Sequence, residues 1–397
     1  MHEHDPASGG PDIFALTPRD GTCLPEIESF ITLLPFGSKL RFDAPDAMKA
    51  VGIFGTTVQR GTLAIAPAGI EVGAGARETL ALPGSQLSRD GVQEDVCVKF
   101  EHSSARRRWA NMNITCREFT FASPEGLALF CREFAPAAPL GTVLCLPGLT
   151  DNSRAFAPLA RRLADRYRVL TPDFRGRGRS QWDESPDGYR AGVYYQDMLQ
   201  LIGEHASGRV ALIGTSLGGM VSILLASQVP ECIAGVVLND VGPEVAPAGL
   251  RRIAGYVGLE PAVASWSEAA AHRQALHAAA FPDFTDADWL ASAHSACRED
   301  ASGSIVADYD PRIGAAFRAR LNEPIDLWPF WAMMGGMPVL LLQAGLSDIL
   351  IAATVERMLA VKPDLERVLV PNRGHAPTLE EPPVTAALDS FLARHLA

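Results

Sequence analysis

After Met112, short apolar runs alternate with helical patterns, and this alternation limits the fold more than any other feature of the chain. Strand-like runs fall at 118–122, 128–133, 141–146, 167–171, 209–213, 234–238, 338–343 and 367–370. Helical patterns lie between them at 154–164, 193–203, 218–228, 352–360 and 383–395, the first carrying Phe156, Leu159 and Leu163 on one face. A chain written this way folds as α/β, with a mostly parallel sheet of eight strands between helical layers. One stretch breaks the rhythm. Residues 243–335 are mostly helical in pattern and too long for a loop, which predicts a helical subdomain inserted between two strands.

Residues 1–111 read differently. They contain no Tyr and one Trp, Trp109. Runs 61–66 and 69–72 alternate between Gly and Pro punctuation, so a few short strands are expected. The basic stretch 103–108 reads as a linker. Two readings follow for this extension: a small β-containing accessory segment, or a segment outside the functional protein, with translation starting at Met112.

Charge and cysteine content narrow the function classes. The 35 basic and 46 acidic residues give a net charge of −11, a field that repels phosphates and argues against nucleic acid and anionic membrane surfaces as partners. The seven cysteines form no C-x-x-C pair, which fits free thiols in a reducing compartment. No leader pattern or membrane-length apolar run is visible, so cytoplasm is the expected location. The glycines at 73–75 and at 176–178 each lack the third glycine of a dinucleotide fingerprint, and no phosphate-loop pattern exists. His2, Glu3, His4 and Asp5 read as a polar terminus, and no metal site has credible spacing. No cofactor is expected; the expected partner is a small-molecule substrate, with oligomeric state left open.

The chemistry concentrates at Gly214-Thr215-Ser216-Leu217-Gly218, directly after an apolar run and directly before a helical one. This strand–turn–helix setting is what a G-x-S-x-G nucleophile elbow requires. Glycines let the turn close tightly, Ser216 projects above the sheet, and the helix start supplies N–H donors. A lone G-x-S-x-G is a weak signal, since any glycine-rich turn can carry a Ser. The downstream partners strengthen it. His375 sits in a Gly-His turn after the last strand-like run, and Asp348 follows the preceding one, giving the order Ser…Asp…His. Asp348 is the favoured orienting acid; Asp240, at the end of the 234–238 run, is its rival. The oxyanion donors are expected from Leu149, beside Gly148 in the turn after the third strand, and from Leu217. Gly148, Trp182, Tyr194 and Trp328 are the expected substrate-pocket residues.

Together with Pro172-Asp173-Phe174-Arg175-Gly176-Arg177-Gly178-Arg179-Ser180, Asn239-Asp240-Val241-Gly242-Pro243 and Asp326-Leu327-Trp328-Pro329, these motifs resemble the α/β-hydrolase superfamily, in its serine branch with a helical cap. The resemblance covers nearly all of 112–397. Pro147 departs from it, standing where many members have His. The resemblance implies a serine hydrolase working through an acyl-enzyme on a small carboxylic ester or lactone. Carbon–carbon hydrolysis of ring-cleavage dienoates, thioester hydrolysis and cofactor-free peroxidation use the same triad in relatives. Outside enzymes, a hydrolase-like binding protein is the competing class.

Overall fold

The computed structural model describes residues 115–396, together with the backbone of six short strands before them. The chain divides into two compact units, Met1–Met112 and Asn113–Ala397. The stretch 103–108, Met112, Cys23 and the residues His2 to Asp5 lie outside the described residues.

In the first unit, β1 (Ile13–Pro18), β2 (Lys39–Phe42), β3 (Gly61–Ala66), β4 (Gly69–Gly73), β5 (Thr79–Leu80) and β6 (Val96–Lys99) form one sheet in the order β5-β4-β3-β2-β1-β6. The strands expected at 61–66 and 69–72 are β3 and β4.

The second unit carries β7 (Thr115–Ala122), β8 (Ala128–Ala135), β9 (Thr142–Leu146), β10 (Arg168–Pro172), β11 (Val210–Thr215), β12 (Ile233–Asn239), β13 (Cys297–Glu299), β14 (Ile305–Ala307), β15 (Val339–Ala344) and β16 (Glu366–Val370). Its helices of seven residues or more flanking the sheet are α1 (Ala157–Leu163), α2 (Ala191–His205), α3 (Leu217–Gln228), α9 (Ala352–Val361) and α10 (Pro382–His395). Those between β12 and β15 are α4 (Pro247–Ala254), α5 (Trp266–His277), α6 (Asp286–Ala296), α7 (Arg312–Ala319) and the shorter α8 (Trp328–Met333). Eight strands form the central sheet in the order β16-β15-β12-β11-β9-β10-β8-β7. All run parallel except β8, which pairs antiparallel with both β10 and β7.

The central strands β9, β12 and β15 are buried along their whole length. A strand covered on both faces has no reason to alternate apolar with polar, which is why these runs read as continuously apolar. Their side chains still alternate between faces. Leu144, Leu212 and Leu341 face a core with α2, α3 and α9, while Val143, Ile213 and Leu342 face a second core with α1 and α10. On that second face, Phe391 of α10 is fully buried and lies 3.0 Å from where a Cβ on Gly235 of β12 would sit.

The insertion differs in part from the expected helical cap. It contains the antiparallel pair β13–β14. Ala269, Ala270, Trp289, Ala293 and Ile305 give α5, α6 and that hairpin a small core of their own. Trp328 and Trp331 of α8 belong to the main core instead. The segment that covers the sheet is therefore shorter than 243–335, because its last helix packs down onto α3. No helix among the described residues is long and apolar enough to cross a membrane.

Phe391→Ala should remove a ring with no room to relax and lower stability by about 3–5 kcal/mol. Urea denaturation followed by tryptophan fluorescence measures the shift.

Candidate active site

The turn after β11 is forced by close packing. A Cβ on Gly214 would lie 2.4 Å from the Gly218 carbonyl oxygen, and one on Gly218 would lie 2.0 Å from that of Leu146 in β9. Only glycine fits either position. Ser216 between them is held at φ 52°, ψ −116°, an uncommon conformation for a residue with a side chain. Its N–H donates to the Asn239 carbonyl at 3.2 Å, tying the elbow to the end of β12. Leu217 opens α3, so its N–H is one of the donors that a helix start leaves without an intrahelical partner.

His375 Nε2 lies 2.8 Å from Ser216 Oγ, and His375 Nδ1 lies 2.8 Å from Asp240 Oδ2. Asp240 is fully buried at the end of β12. Its Oδ1 accepts the Ala344 N–H at 2.9 Å, and its Oδ2 also accepts the Ser347 hydroxyl at 2.6 Å. These contacts leave a lone pair of Oδ2 directed at the imidazole. The tautomer with hydrogen on Nδ1 presents Nε2 as the acceptor for the serine proton. The His375 turn is fixed as well. Asn239 Nδ2 donates to the Thr215 hydroxyl at 3.1 Å and to the Pro377 carbonyl at 2.9 Å. Gly374 N–H donates to Ala280 at 2.7 Å, bringing the chain after α5 against the same turn.

The favoured acid of the sequence reading, Asp348, is elsewhere. Arg252 of α4 holds it through two hydrogen bonds of 2.5 and 2.8 Å, and that guanidinium keeps its carboxyl below its ordinary pKa. The strand end after β15 presents Ser347 to the site, and Asp348, one residue on, turns to the cap. Asp240, weighed as the rival, is the carboxylate that meets His375.

A cavity of about 910 Å³ is lined by Ser216, His375, Gly148 and Leu149, with Tyr256, Arg273 and Trp289 from the insertion. Gly148 thus stands where a pocket residue was expected. The three expected aromatic residues do not line it. Trp182 is an exposed side chain. Tyr194 is buried, its ring stacked on Phe174 and its hydroxyl bonded to Arg177 at 2.7 Å. Trp328 donates to Glu244 at 2.8 Å beneath the Arg357 guanidinium. Tyr194 and Trp328 are held by packing partners instead, since a large aromatic also fills a core well.

Sequence reading missed Arg177. Its side chain is buried, and its Nε donates to the Leu149 carbonyl at 2.9 Å, fixing the peptide plane of the turn after β9. Arginine fits that task because one guanidinium can also reach the Arg175 carbonyl and the Tyr194 hydroxyl, both at 2.7 Å. The cap is attached beside this turn. Arg154 pairs with Asp308 at 2.8 Å and donates to the Cys297 carbonyl at 2.9 Å, while Asn152 donates to the Ser295 carbonyl at 3.3 Å. Among the described residues, no group of three His, Cys, Asp or Glu side chains could hold a metal ion.

A sheet of this order with a serine at the elbow after β11 defines a hydrolase-type α/β protein. The alpha/beta hydrolase family model matches residues 143–388, and the chain belongs to that family. It is similar to a 3-hydroxybutyrate-oligomer hydrolase of Cupriavidus necator, 34% identical over 258 residues, which span 63% of this chain and 87% of that protein. It is also similar to a 2-(acetamidomethylene)succinate hydrolase of Mesorhizobium japonicum, 28% identical over 253 residues, with 63% and 87% covered. Among solved structures, an alpha/beta hydrolase from Novosphingobium aromaticivorans is 41% identical with a TM-score of 0.66, covering 70% of this chain and 98% of that one. The chain is thus a hydrolase of this family.

Asp240→Asn should lower kcat on a short p-nitrophenyl ester by about 10³- to 10⁴-fold, because the amide favours the wrong imidazole tautomer. Asp348→Asn should cost less than about tenfold, as it loosens a half-exposed ion pair. Stopped-flow kinetics of the two variants distinguishes them.

His277 of α5 supplies a stability test. Burial first, then the charges of Arg273, Arg252 and His272, push its pKa down to about 3. Between its ordinary value of 6.5 and 3, the unfolded chain binds the extra proton and the folded chain does not. Stability from this group is therefore present above 6.5 and lost as pH falls toward 3. His277→Gln should flatten the pH dependence of the urea midpoint across that window.

Proposed function

We propose that this protein is a serine hydrolase of carboxylic esters, with Ser216 as nucleophile, His375 as general base and acid, and Asp240 as orienting carboxylate. The observation that carries the reading is the continuous line from Asp240 through His375 to Ser216, with 2.8 Å at each step, at the wall of the large cavity. His375 Nε2 takes the hydroxyl proton as Ser216 Oγ attacks the ester carbonyl. The N–H groups of Leu149 and Leu217 receive the oxyanion. Collapse of the tetrahedral species breaks the ester bond, and His375 returns the proton to the leaving alkoxide. Water, deprotonated by the same imidazole, then releases the acid and restores Ser216.

The substrate class we favour is a short ester of a hydroxy acid. The C. necator relative is named for hydrolysis of 3-hydroxybutyrate oligomers, which are joined by carboxylic ester bonds. The M. japonicum relative supports a second reading, hydrolysis of a substituted succinate. A panel of the linear 3-hydroxybutyrate dimer against 2-(acetamidomethylene)succinate separates the two.

Ser216→Ala should lower ester turnover by about 10⁵-fold or more. A fluorophosphonate should add one adduct to the wild type by intact mass and none to the variant. Retained turnover in Ser216→Ala would overturn the assignment.

A further inference from the structure

Helix α5 lines the cavity with His272, Arg273, Leu276 and His277, residues linked by spacings of three and four that share one helical face. Arg273 is the cation of that face whose charge does not depend on pH near neutrality. Its Nε donates to Ser292 Oγ of α6 at 2.7 Å, which fixes the direction of the guanidinium. Among the described residues, no carboxylate lies within ion-pair distance of it.

The other arginines of the wall are differently placed. Arg154 is paired with Asp308, Arg373 with Asp283 and Glu381, and Arg132 with Glu118. Among the described residues Arg161 has no acid partner, but it is exposed to water. Arg273 is half-buried, so it has lost part of its hydration without gaining a counter-ion. Its charge reaches the groups around it, helping to depress the pKa of His277 and opposing the rise at Tyr256, another residue of the cavity wall.

Acids of the wall do not fill this role. Asp283 and Glu381 are taken by Arg373, Glu260 accepts the Tyr309 hydroxyl, Asp288 closes the capping box of α6 with Thr285, and Glu380 is exposed to water. Asp151 belongs to the turn after β9 that carries Leu149, not to the α5 wall. An oriented, half-buried guanidinium with free N–H donors, in the cavity that holds the nucleophile, fits a planar anion with two oxygens.

We propose that Arg273 docks a free carboxylate carried by the substrate away from the scissile bond, making the enzyme selective for esters that end in a carboxylate. This rests on the ester-hydrolase reading above and deepens it. The reaction needs no further reactant: water adds across the ester, and the remote carboxylate is unchanged.

The test compares the linear dimer of 3-hydroxybutyrate, which ends in a carboxylate, with its methyl ester. In Arg273→Gln, the ratio of kcat/KM for the acid to that for the methyl ester should fall by about 10- to 100-fold, mainly through KM for the acid. Arg273→Lys should restore part of that ratio. An unchanged ratio overturns the proposal, including the case in which both substrates lose rate equally. If the wild type cleaves neither compound, the ester-hydrolase reading fails separately, and binding decides the role of Arg273. Calorimetry on Ser216→Ala should then show the acid bound at least about tenfold more tightly than the methyl ester, a preference lost in Ser216→Ala/Arg273→Gln. No preference, a preference that survives the second substitution, or no binding of either compound overturns it.

Discussion

The site depends on one buried carboxylate. Asp240 sits at the end of β12 with no exposure to water, and it is stable there because the backbone of Ala344, the hydroxyl of Ser347 and the ring of His375 all turn toward it. Burying a charge without such partners would cost several kcal/mol. Each donor comes from a different segment: the end of β15, the turn that follows it, and the turn after β16. The same carboxylate that orients the imidazole therefore also draws three chain ends together. Asn239, one residue before it, reaches Thr215 beside the elbow and Pro377 beyond His375. Two consecutive side chains at one strand end thus set the distance between Ser216 and His375.

Around this centre, the elbow and the turn after β9 are fixed by different means. The elbow is steric: glycine is required where Gly214 and Gly218 approach neighbouring carbonyl oxygens. The turn after β9 is polar: Arg177 holds the Leu149 carbonyl, and Asp173 accepts the Ser153 N–H at 2.5 Å. The cap adds a third element through Arg154 and Asp308, and a fourth through Arg252 and Asp348. Core and cap are thus joined by charged pairs on more than one side of the cavity, while the apolar core of α5 and α6 remains their own.

Much of this was legible in the sequence, and the limits have physical causes. The central strands announced themselves because burial on both faces makes β9, β12 and β15 continuous apolar runs. The elbow did so because its glycines and serine stand within five consecutive residues, between an apolar run and a helical one. The acid did not. Asp240 and Asp348 both follow strands, and the choice between them is made by Arg252, from a helix almost a hundred residues before Asp348, and by the Ser347 hydroxyl. Pattern along the chain contains neither. The pocket aromatics failed for a related reason: Trp328 and Tyr194 have the size to line a pocket, but Glu244 and Arg177 claim their polar atoms. Arg177 itself lay in a stretch noted for its glycines and for its likeness to the family, and neither marks a buried side chain that reaches the turn after β9.

Ser347 and Asp348 stand side by side on the turn that closes over Asp240. The two acids that follow neighbouring strands therefore part company: Asp240, at the end of β12, meets the imidazole, and Asp348, just past β15, meets Arg252. The second serves as a mooring for the cap. A division of labour of this kind lets the lid of the cavity be re-rigged, through Arg252 and its partner, while the reacting groups stay where they are.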